Sequence, residues 1–236
     1  MGGMAPSAGF RSPDRPTRSE GVETMLVVIQ RHNAHDYPHL LDQMFRLRAR
    51  VFQEKLNWDV VVTAGLERDR YDDENPVYVL ICDEEATQVR GSLRLLPTTG
   101  PTLLSEVFGE TLPDPALLTA PSIWECTRFC VDDRLLKGEP RAALVHESGV
   151  LFAGLGEVAL ASGIRTVLGN FDAGMYRLYR RAGVEVEILG SAPVNGQAIY
   201  LGSFPVSEEI LHRVKTRLDH PERQLARAAG RRPLAA

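Results

Sequence analysis

Residues 122–131, Ser-Ile-Trp-Glu-Cys-Thr-Arg-Phe-Cys-Val, form the stretch on which the predicted fold rests. Their β-branched and aromatic side chains predict a strand, and two charged residues, Glu125 and Arg128, interrupt a segment otherwise suited to burial. Upstream, the apolar runs Val77–Cys82 and Val89–Leu96 flank a polar turn and predict a hairpin. We therefore expect these three strands to form the centre of a buried sheet.

The remaining apolar segments extend this pattern on both sides. Further strands are predicted at 25–30, 165–168, 184–189 and 198–204, and helices at 36–56, 103–108, 142–161 and 173–182. Residues 57–76 are polar and acidic, and we expect them to form a loop. This order predicts an α/β fold, a three-layer α/β/α sandwich with a mixed sheet, similar to the N-acetyltransferase superfamily.

Length and composition predict one domain with two tails. The chain has 236 residues, and residues 1–24, rich in Gly, Ser, Pro and Arg, are predicted to be a disordered extension. The domain itself is expected at 25–212, followed by a basic tail at 213–236. A net charge of −4 gives no indication of nucleic-acid binding, and no apolar run resembles a secretory signal or a membrane span.

Three cysteines, Cys82, Cys126 and Cys130, lie in strand-like segments, which predicts reduced core thiols and a cytoplasmic protein. Cys126 and Cys130 are four residues apart, but no second pair of ligands with zinc spacing accompanies them. We expect no metal site.

Charged residues at core positions give the first indication of a functional site. Arg48 falls on the apolar face of the first predicted helix, and either reaches solvent along that face or meets an anion. The same problem arises for Arg94 and Arg128, with Glu67, Asp69, Asp72 and Glu125 as candidate internal carboxylates. Structural ion pairing is one interpretation. A mixed-charge pocket with surplus negative charge is the other, and it would suit a cationic ligand that carries a carboxylate, such as S-adenosylmethionine.

In these residues the sequence resembles the LuxI-type acyl-homoserine-lactone synthases. The family's first motif, an Arg, a Phe and a Trp at fixed spacing, matches Arg48, Phe52 and Trp58. Its acidic motif matches Glu67, Asp69 and Asp72. Its remaining motifs match Arg94 in the strand before Leu-Pro-Thr, Phe108 in the next loop, and Glu125 with Arg128 in Glu-Cys-Thr-Arg-Phe. The resemblance covers residues 25–204.

The resemblance implies an acyltransferase that makes an N-acyl-L-homoserine lactone, a quorum-sensing signal. The substrates would be S-adenosylmethionine and an acyl thioester of acyl carrier protein or, less often, coenzyme A, with methylthioadenosine released and no metal or redox cofactor. Glu125 would be the general base, and the other matched residues would bind substrate. The acyl pocket is expected around Thr127, Gly169, Phe171 and Met175, with core packing as the alternative for Phe171.

The sequence leaves open whether Glu125 and Arg128 point to the same face of their strand. In a regular strand, residues three apart face opposite sides, so Glu125 and Arg128 share a face only if a bulge intervenes. Three other functions are alternatives for this sequence. A coenzyme-A-dependent acyltransferase for another amine would favour a glycine-rich phosphate loop, and residues 134–140 hold one glycine. A methyltransferase would favour a glycine-rich turn after the first strand, and Arg31–Ala34 has none. A non-catalytic binding module would not need Glu125.

Overall fold

The computed structural model describes residues 24–111, 118–136, 140–194 and 196–219. Seven strands form one sheet and two short strands form a separate hairpin. In chain order they are β1 (Met25–Ile29), β2 (Val62–Thr63), β3 (Leu66–Glu67), β4 (Val77–Cys82), β5 (Val89–Pro97), β6 (Ile123–Val131), β7 (Thr166–Phe171), β8 (Glu187–Val194) and β9 (Gln197–Pro205). The helices are α1 (Pro38–Arg48), α2 (Leu103–Glu106), α3 (Pro140–Ala161), α4 (Ala173–Ala182) and α5 (Glu208–Asp219).

The large sheet has the strand order β1-β4-β5-β6-β7-β9-β8. Neighbouring strands are antiparallel except β6 and β7, which are parallel and pair only from Ile123 with Thr166 to Glu125 with Leu168. Both strands continue past these residues without pairing to each other, so the sheet opens between them.

Helices cover both faces of the sheet, as the alternation in β4 shows. Tyr78, Leu80 and Cys82 pack with α1, whereas Val77, Val79 and Ile81 pack with α3. We call these two sides the α1 face and the α3 face. Because every β4 side chain is buried, the strand reads as a continuous apolar run. The predicted three-layer sandwich and the central hairpin are confirmed.

A bulge in β6 answers the question of side-chain direction. Ser92 pairs with Cys130 and Arg94 with Thr127, so two residues of β6 oppose the single residue between them on β5. Arg128 lies in the bulge with a φ of 54°. The extra residue shifts the alternation, and Arg128 therefore contacts the same α1-face groups as Arg94.

Some boundaries differ from the sequence-based prediction. The loop expected at 57–76 contains the β2–β3 hairpin and a 3₁₀ turn at Arg70–Asp73. The first helix begins at Pro38 and continues from Ala49 to Lys55 as a π-helix. Strand β8 spans Glu187–Val194 instead of 184–189, because α4 ends in a left-handed turn at Gly183 and the chain needs several residues to return to the sheet.

The predicted boundary at 212 lies inside a helix. Helix α5 runs from Glu208 to Asp219, and Val214 is buried against Phe152 and Tyr179, so residues up to 219 belong to the domain. The extension predicted at 1–24 lies outside the described residues except for Thr24, and so does the tail beyond 219. Helix α3 is long and apolar enough to cross a bilayer, but 56% of that span is buried, and it packs against the sheet as a core helix.

Candidate active site

Arg48, at the end of α1, is buried with 1% exposure, which excludes the snorkelling interpretation. Its Nε donates to Glu67 Oε2 at 2.5 Å, and its two terminal nitrogens donate to the Asp72 oxygens at 2.8 and 2.9 Å. The guanidinium therefore binds one carboxylate in bidentate fashion and a second through Nε, which satisfies it without solvent.

Arg94 and Arg128 join the same carboxylates from the sheet. Arg94 binds Asp69 at 2.5 and 3.0 Å and Asp72 at 2.8 Å. Arg128 binds Asp69 at 2.8 Å and Glu67 at 3.0 Å. We call these three arginines and three carboxylates the ion network: Arg48, Arg94, Arg128, Glu67, Asp69 and Asp72.

Local structure holds the acidic half of this network in place. Asp69 caps the 3₁₀ turn at Arg70–Asp73 by accepting from the Tyr71 N–H at 3.0 Å, and Asp72 accepts from the Asp69 N–H at 2.9 Å. Tyr78 donates its hydroxyl to Asp72 Oδ1 at 2.8 Å. Burial opposes ionisation of Asp72, but the hydrogen bonds and charges of Arg48 and Arg94 outweigh it and hold the pKa well below its usual value.

The network balances three positive and three negative charges, so the predicted ion pairing is confirmed. The predicted pocket with surplus negative charge is therefore not one open group of charges. The surplus carboxylate, Glu125, lies outside the network. Arg128 is the most accessible of the three guanidiniums, with 10% exposure of its side chain against 1% and 0% for the other two.

Glu125 is held separately, at the start of α2. Its two carboxylate oxygens accept hydrogen bonds from the backbone N–H groups of Leu103 and Leu104, at 2.9 and 2.8 Å. Glu125 itself is 1% exposed. Burial raises its pKa to about 7, against the opposing effect of the two N–H donors and of the charges of Arg94 and Arg128. A carboxyl group with this pKa can accept a proton at neutral pH and return it.

The aromatic residues of the predicted site lie at two places around Glu125 and the network. Phe52 is buried, stacks on Trp58 at 5.2 Å between ring centroids, and lies 5.4 Å from the Arg128 guanidinium. Trp58 is 42% exposed and offers its ring to solvent. Phe108 packs separately, with Leu103 and Leu104 of α2.

The four residues predicted for the acyl pocket do not lie on one face. Phe171 and Met175 pack together on the α3 face in an aromatic cluster. A Cβ on Gly169 would point to the Phe204 ring, on that same face. Thr127 instead accepts a hydrogen bond from Arg94 Nε at 3.0 Å on the α1 face. The residues predicted for the acyl pocket are therefore divided between the two faces of the sheet.

The cysteine pair lies on opposite faces of the sheet. Cys126 packs in the core below α3, and Cys130 packs in the core below α1 and contacts Ser92 Oγ at 3.3 Å. Two thiols on opposite faces cannot bind one metal ion. Burial raises the pKa of both thiols, to about 12 for Cys126 and about 11 for Cys130, which fits inert core residues.

Several groups that build the site were not identified from the sequence. They are the Leu103 and Leu104 N–H groups, the Tyr78 hydroxyl, Thr111 and Asn170. A tyrosine in an otherwise aliphatic strand and an asparagine between Gly169 and Phe171 are weak polar signals in apolar strands. The backbone donors carry no sequence signal, because every residue except proline has one.

Comparison with known proteins identifies the family of this chain. The sequence profile of the family described as "Autoinducer synthase" matches residues 32–214. The chain belongs to the autoinducer synthase family. It is an acyl-homoserine-lactone synthase, an acyltransferase of bacterial quorum sensing.

Individual relatives of this enzyme agree with that assignment. It is 38% identical to the acyl-homoserine-lactone synthase of Rhizobium etli over 169 residues, 71% of this chain and 78% of the relative. Among solved structures it is similar to the CoA-dependent acyl-homoserine lactone synthase BjaI with SAM and isopentyl-CoA, with a TM-score of 0.71, 31% identity and coverage of 83% and 90% of the two chains. An N-acetyltransferase from Lactobacillus plantarum, 15% identical with a TM-score of 0.51 over 77% of this chain and 99% of that one, shares the fold.

Proposed function

We propose that this synthase acylates the amine of S-adenosylmethionine with an acyl thioester and then closes the lactone, releasing methylthioadenosine. The observation that carries the proposal is Glu125, a buried carboxyl group with a pKa of about 7, next to the opening in the sheet. Acylation needs a neutral amine, since an ammonium has no lone pair. Glu125 can take its proton directly or through a water molecule.

Each step of the proposed reaction balances without a redox change. The ammonium gives a proton to Glu125, which releases it to solvent, and the nitrogen lone pair forms a C–N bond at the thioester carbonyl. The C–S bond then breaks, and the second proton lost from the nitrogen goes to the departing thiolate, so that the donor leaves as a thiol. Next, the methionine carboxylate attacks the carbon attached to the sulfonium, that C–S bond breaks, and the neutral thioether leaves as methylthioadenosine. We propose that no metal or redox cofactor takes part.

The residues around Glu125 suit this substrate. The exposed Trp58 ring can bind a sulfonium or ammonium by a cation–π contact. Arg128, as the most accessible guanidinium, is suited to the methionine carboxylate. The rest of the ion network fixes the wall on which Arg128 and Phe52 lie, and Phe108 closes the side next to α2. Holding two substrates in one geometry supplies much of the rate.

We propose that the acyl group enters between β6 and β7 and meets the aromatic cluster on the α3 face. Phe171 is buried there, with its ring 5.1 to 6.2 Å from those of Tyr176, Tyr179, Tyr200 and Phe204. A ring in this position limits the length of the acyl chain. Gly202 provides space for Phe171, since a Cβ there would lie 2.5 Å from the ring.

Phe171→Val tests this acyl pocket. We expect the variant to shift the product profile toward longer acyl chains, because removing the ring opens volume beside the thioester carbon. The measurement is the relative kcat/KM for a series of acyl thioesters, with Phe45→Leu on the α1 face as a control for altered packing. An unchanged profile in a folded Phe171→Val protein would assign the ring to the core alone.

The donor is expected to be a cytoplasmic acyl thioester, on acyl carrier protein or on coenzyme A. Helix α4 presents Arg177, Arg180 and Arg181 to solvent, which suits an acidic carrier protein. Arg141 at the start of α3 is also exposed, whereas Lys137 lies outside the described residues. We propose that the enzyme binds no nucleic acid and does not insert into a membrane.

The test of the function is a product assay. Purified enzyme is incubated with S-adenosylmethionine and a panel of acyl groups, each offered on both acyl carrier protein and coenzyme A. We expect an acyl-homoserine lactone and methylthioadenosine in equal amounts, with one carrier giving the higher kcat/KM. Absence of both products across the panel would refute the proposal, and an acylated amine without methylthioadenosine would refute its lactone step.

A further inference from the structure

Asn170, on β7, has a buried acceptor that no group in the described part of the chain uses. Its Nδ2 donates to Thr111 Oγ1 at 3.2 Å, and Thr111 Oγ1 in turn donates to the Phe108 carbonyl at 2.6 Å. A hydroxyl has one proton, so Thr111 can only accept from Asn170, and this fixes which end of the amide faces it. The other end, Oδ1, is buried and has no hydrogen-bond partner among the described residues.

The position of Asn170 places this acceptor near Glu125. Leu168 pairs with Glu125 and packs on Leu104 and Phe108, on the α1 face. Side chains two residues apart in a strand share a face, so Asn170 follows Leu168 on that side. Pairing between β6 and β7 stops at Leu168. Asn170 therefore lies at the opening, two residues along β7 from the residue that pairs with the proposed base.

A buried acceptor without a partner is costly because it has lost its hydrogen bonds to water, so we expect it to have a donor in the functional complex. The donor must carry an N–H or O–H. Neither the thioester, the sulfonium nor the methionine carboxylate has one. Among the groups that react at Glu125, only the amine does.

We propose that Asn170 Oδ1 accepts a hydrogen bond from the amine of S-adenosylmethionine and so positions it for attack. This inference rests on the proposed function and adds a residue to it. Glu125 takes one proton of the ammonium, and Asn170 holds a second N–H. The N–H held by Asn170 restricts rotation about the Cα–N bond, and so restricts the direction of the lone pair that deprotonation frees.

A chemical double-mutant cycle tests this contact through binding alone. The ligands are S-adenosylmethionine and its analogue with hydrogen in place of the amino group, and the quantity is the ratio of their Kd values. We expect Asn170→Leu to reduce the preference for S-adenosylmethionine by about 10-fold or more, since it removes the acceptor at similar volume. Asn170→Asp should increase the preference, because it adds a charge next to the ammonium.

Asn33→Leu is the matched control. The Asn33 side chain accepts from the Gln30 N–H and donates to the Val28 carbonyl beside the edge strand β1, away from Glu125, so the preference should stay within about 3-fold of wild type. An unchanged preference in both Asn170 variants would overturn the inference. If the wild-type enzyme binds and converts S-adenosylmethionine in that case, only the role of Asn170 fails. If the wild type does neither, the proposed function fails.

Discussion

Glu125→Gln is expected to lower kcat by a factor of about 10²–10⁴, because it removes the group that takes the proton from the amine. Binding of S-adenosylmethionine should remain, since Glu125 lies outside the ion network and its backbone donors belong to α2. The measurement is kcat from the release of methylthioadenosine, together with the Kd of S-adenosylmethionine by calorimetry.

The pH dependence of the wild-type enzyme provides a second readout of the same residue. Because the pKa of Glu125 is raised to about 7, the carboxylate form needed for catalysis increases as pH rises through 7. The acid limb of kcat/KM should therefore have its midpoint near that pH and be absent in Glu125→Gln. Glu147→Gln is the control, a buried glutamate paired with Arg90 on β5, and it should keep this limb. Wild-type turnover in Glu125→Gln would exclude Glu125 as the base.

Arg48→Met is expected to cost about 3–5 kcal/mol in the free energy of unfolding, because it leaves two buried carboxylates without their main partner. Glu67 and Asp72 are 0% and 8% exposed, so water cannot replace the guanidinium. The measurement is urea unfolding at pH 7. Because the pKa of Asp72 is lowered in the folded protein, its contribution to the free energy of unfolding depends on pH. The contribution is present above its unfolded pKa, about 3.8, and is lost as pH falls below that value.

Arg46→Ala, two residues earlier on α1, is the matched control. Arg46 pairs with Asp42 one turn away, at 2.8 Å, and both side chains are about half exposed. Such surface pairs contribute about 0.3–0.5 kcal/mol. A loss below about 1 kcal/mol in Arg48→Met as well would mean that the ion network adds little stability. The network would then be retained for its geometry alone.

The layers of this fold were predictable because buried segments have a recognisable pattern of apolar residues. Val77–Cys82 is apolar at every position, which is the pattern of a strand covered on both faces, and the structure places α1 and α3 there. The boundary at 212 was wrong for a local reason. Helix α5 is mostly polar on its exposed side, and only its contact with Phe152 and Tyr179 shows that it belongs to the core.

The site was predictable as a set of residues but not as a geometry. The motifs from Arg48 to Arg128 identified the family and the charged groups, and charge counting left two interpretations open. The structure separates them, since six of the seven charges pair with each other and Glu125 stays apart. Which carboxylate meets which guanidinium depends on segments 19 to 61 residues apart, and local patterns carry no information on such distances.

By itself, then, the sequence determined the layers, the family and the identity of the charged residues, because periodicity and motif spacing are properties of the chain. Only the tertiary structure decided the direction of Arg128, the hydrogen bonds and burial of Glu125, and the unpaired acceptor of Asn170. The first depends on a bulge between two strands, and the second on backbone donors from a helix 21 residues away. The third depends on a single hydroxyl proton already used elsewhere.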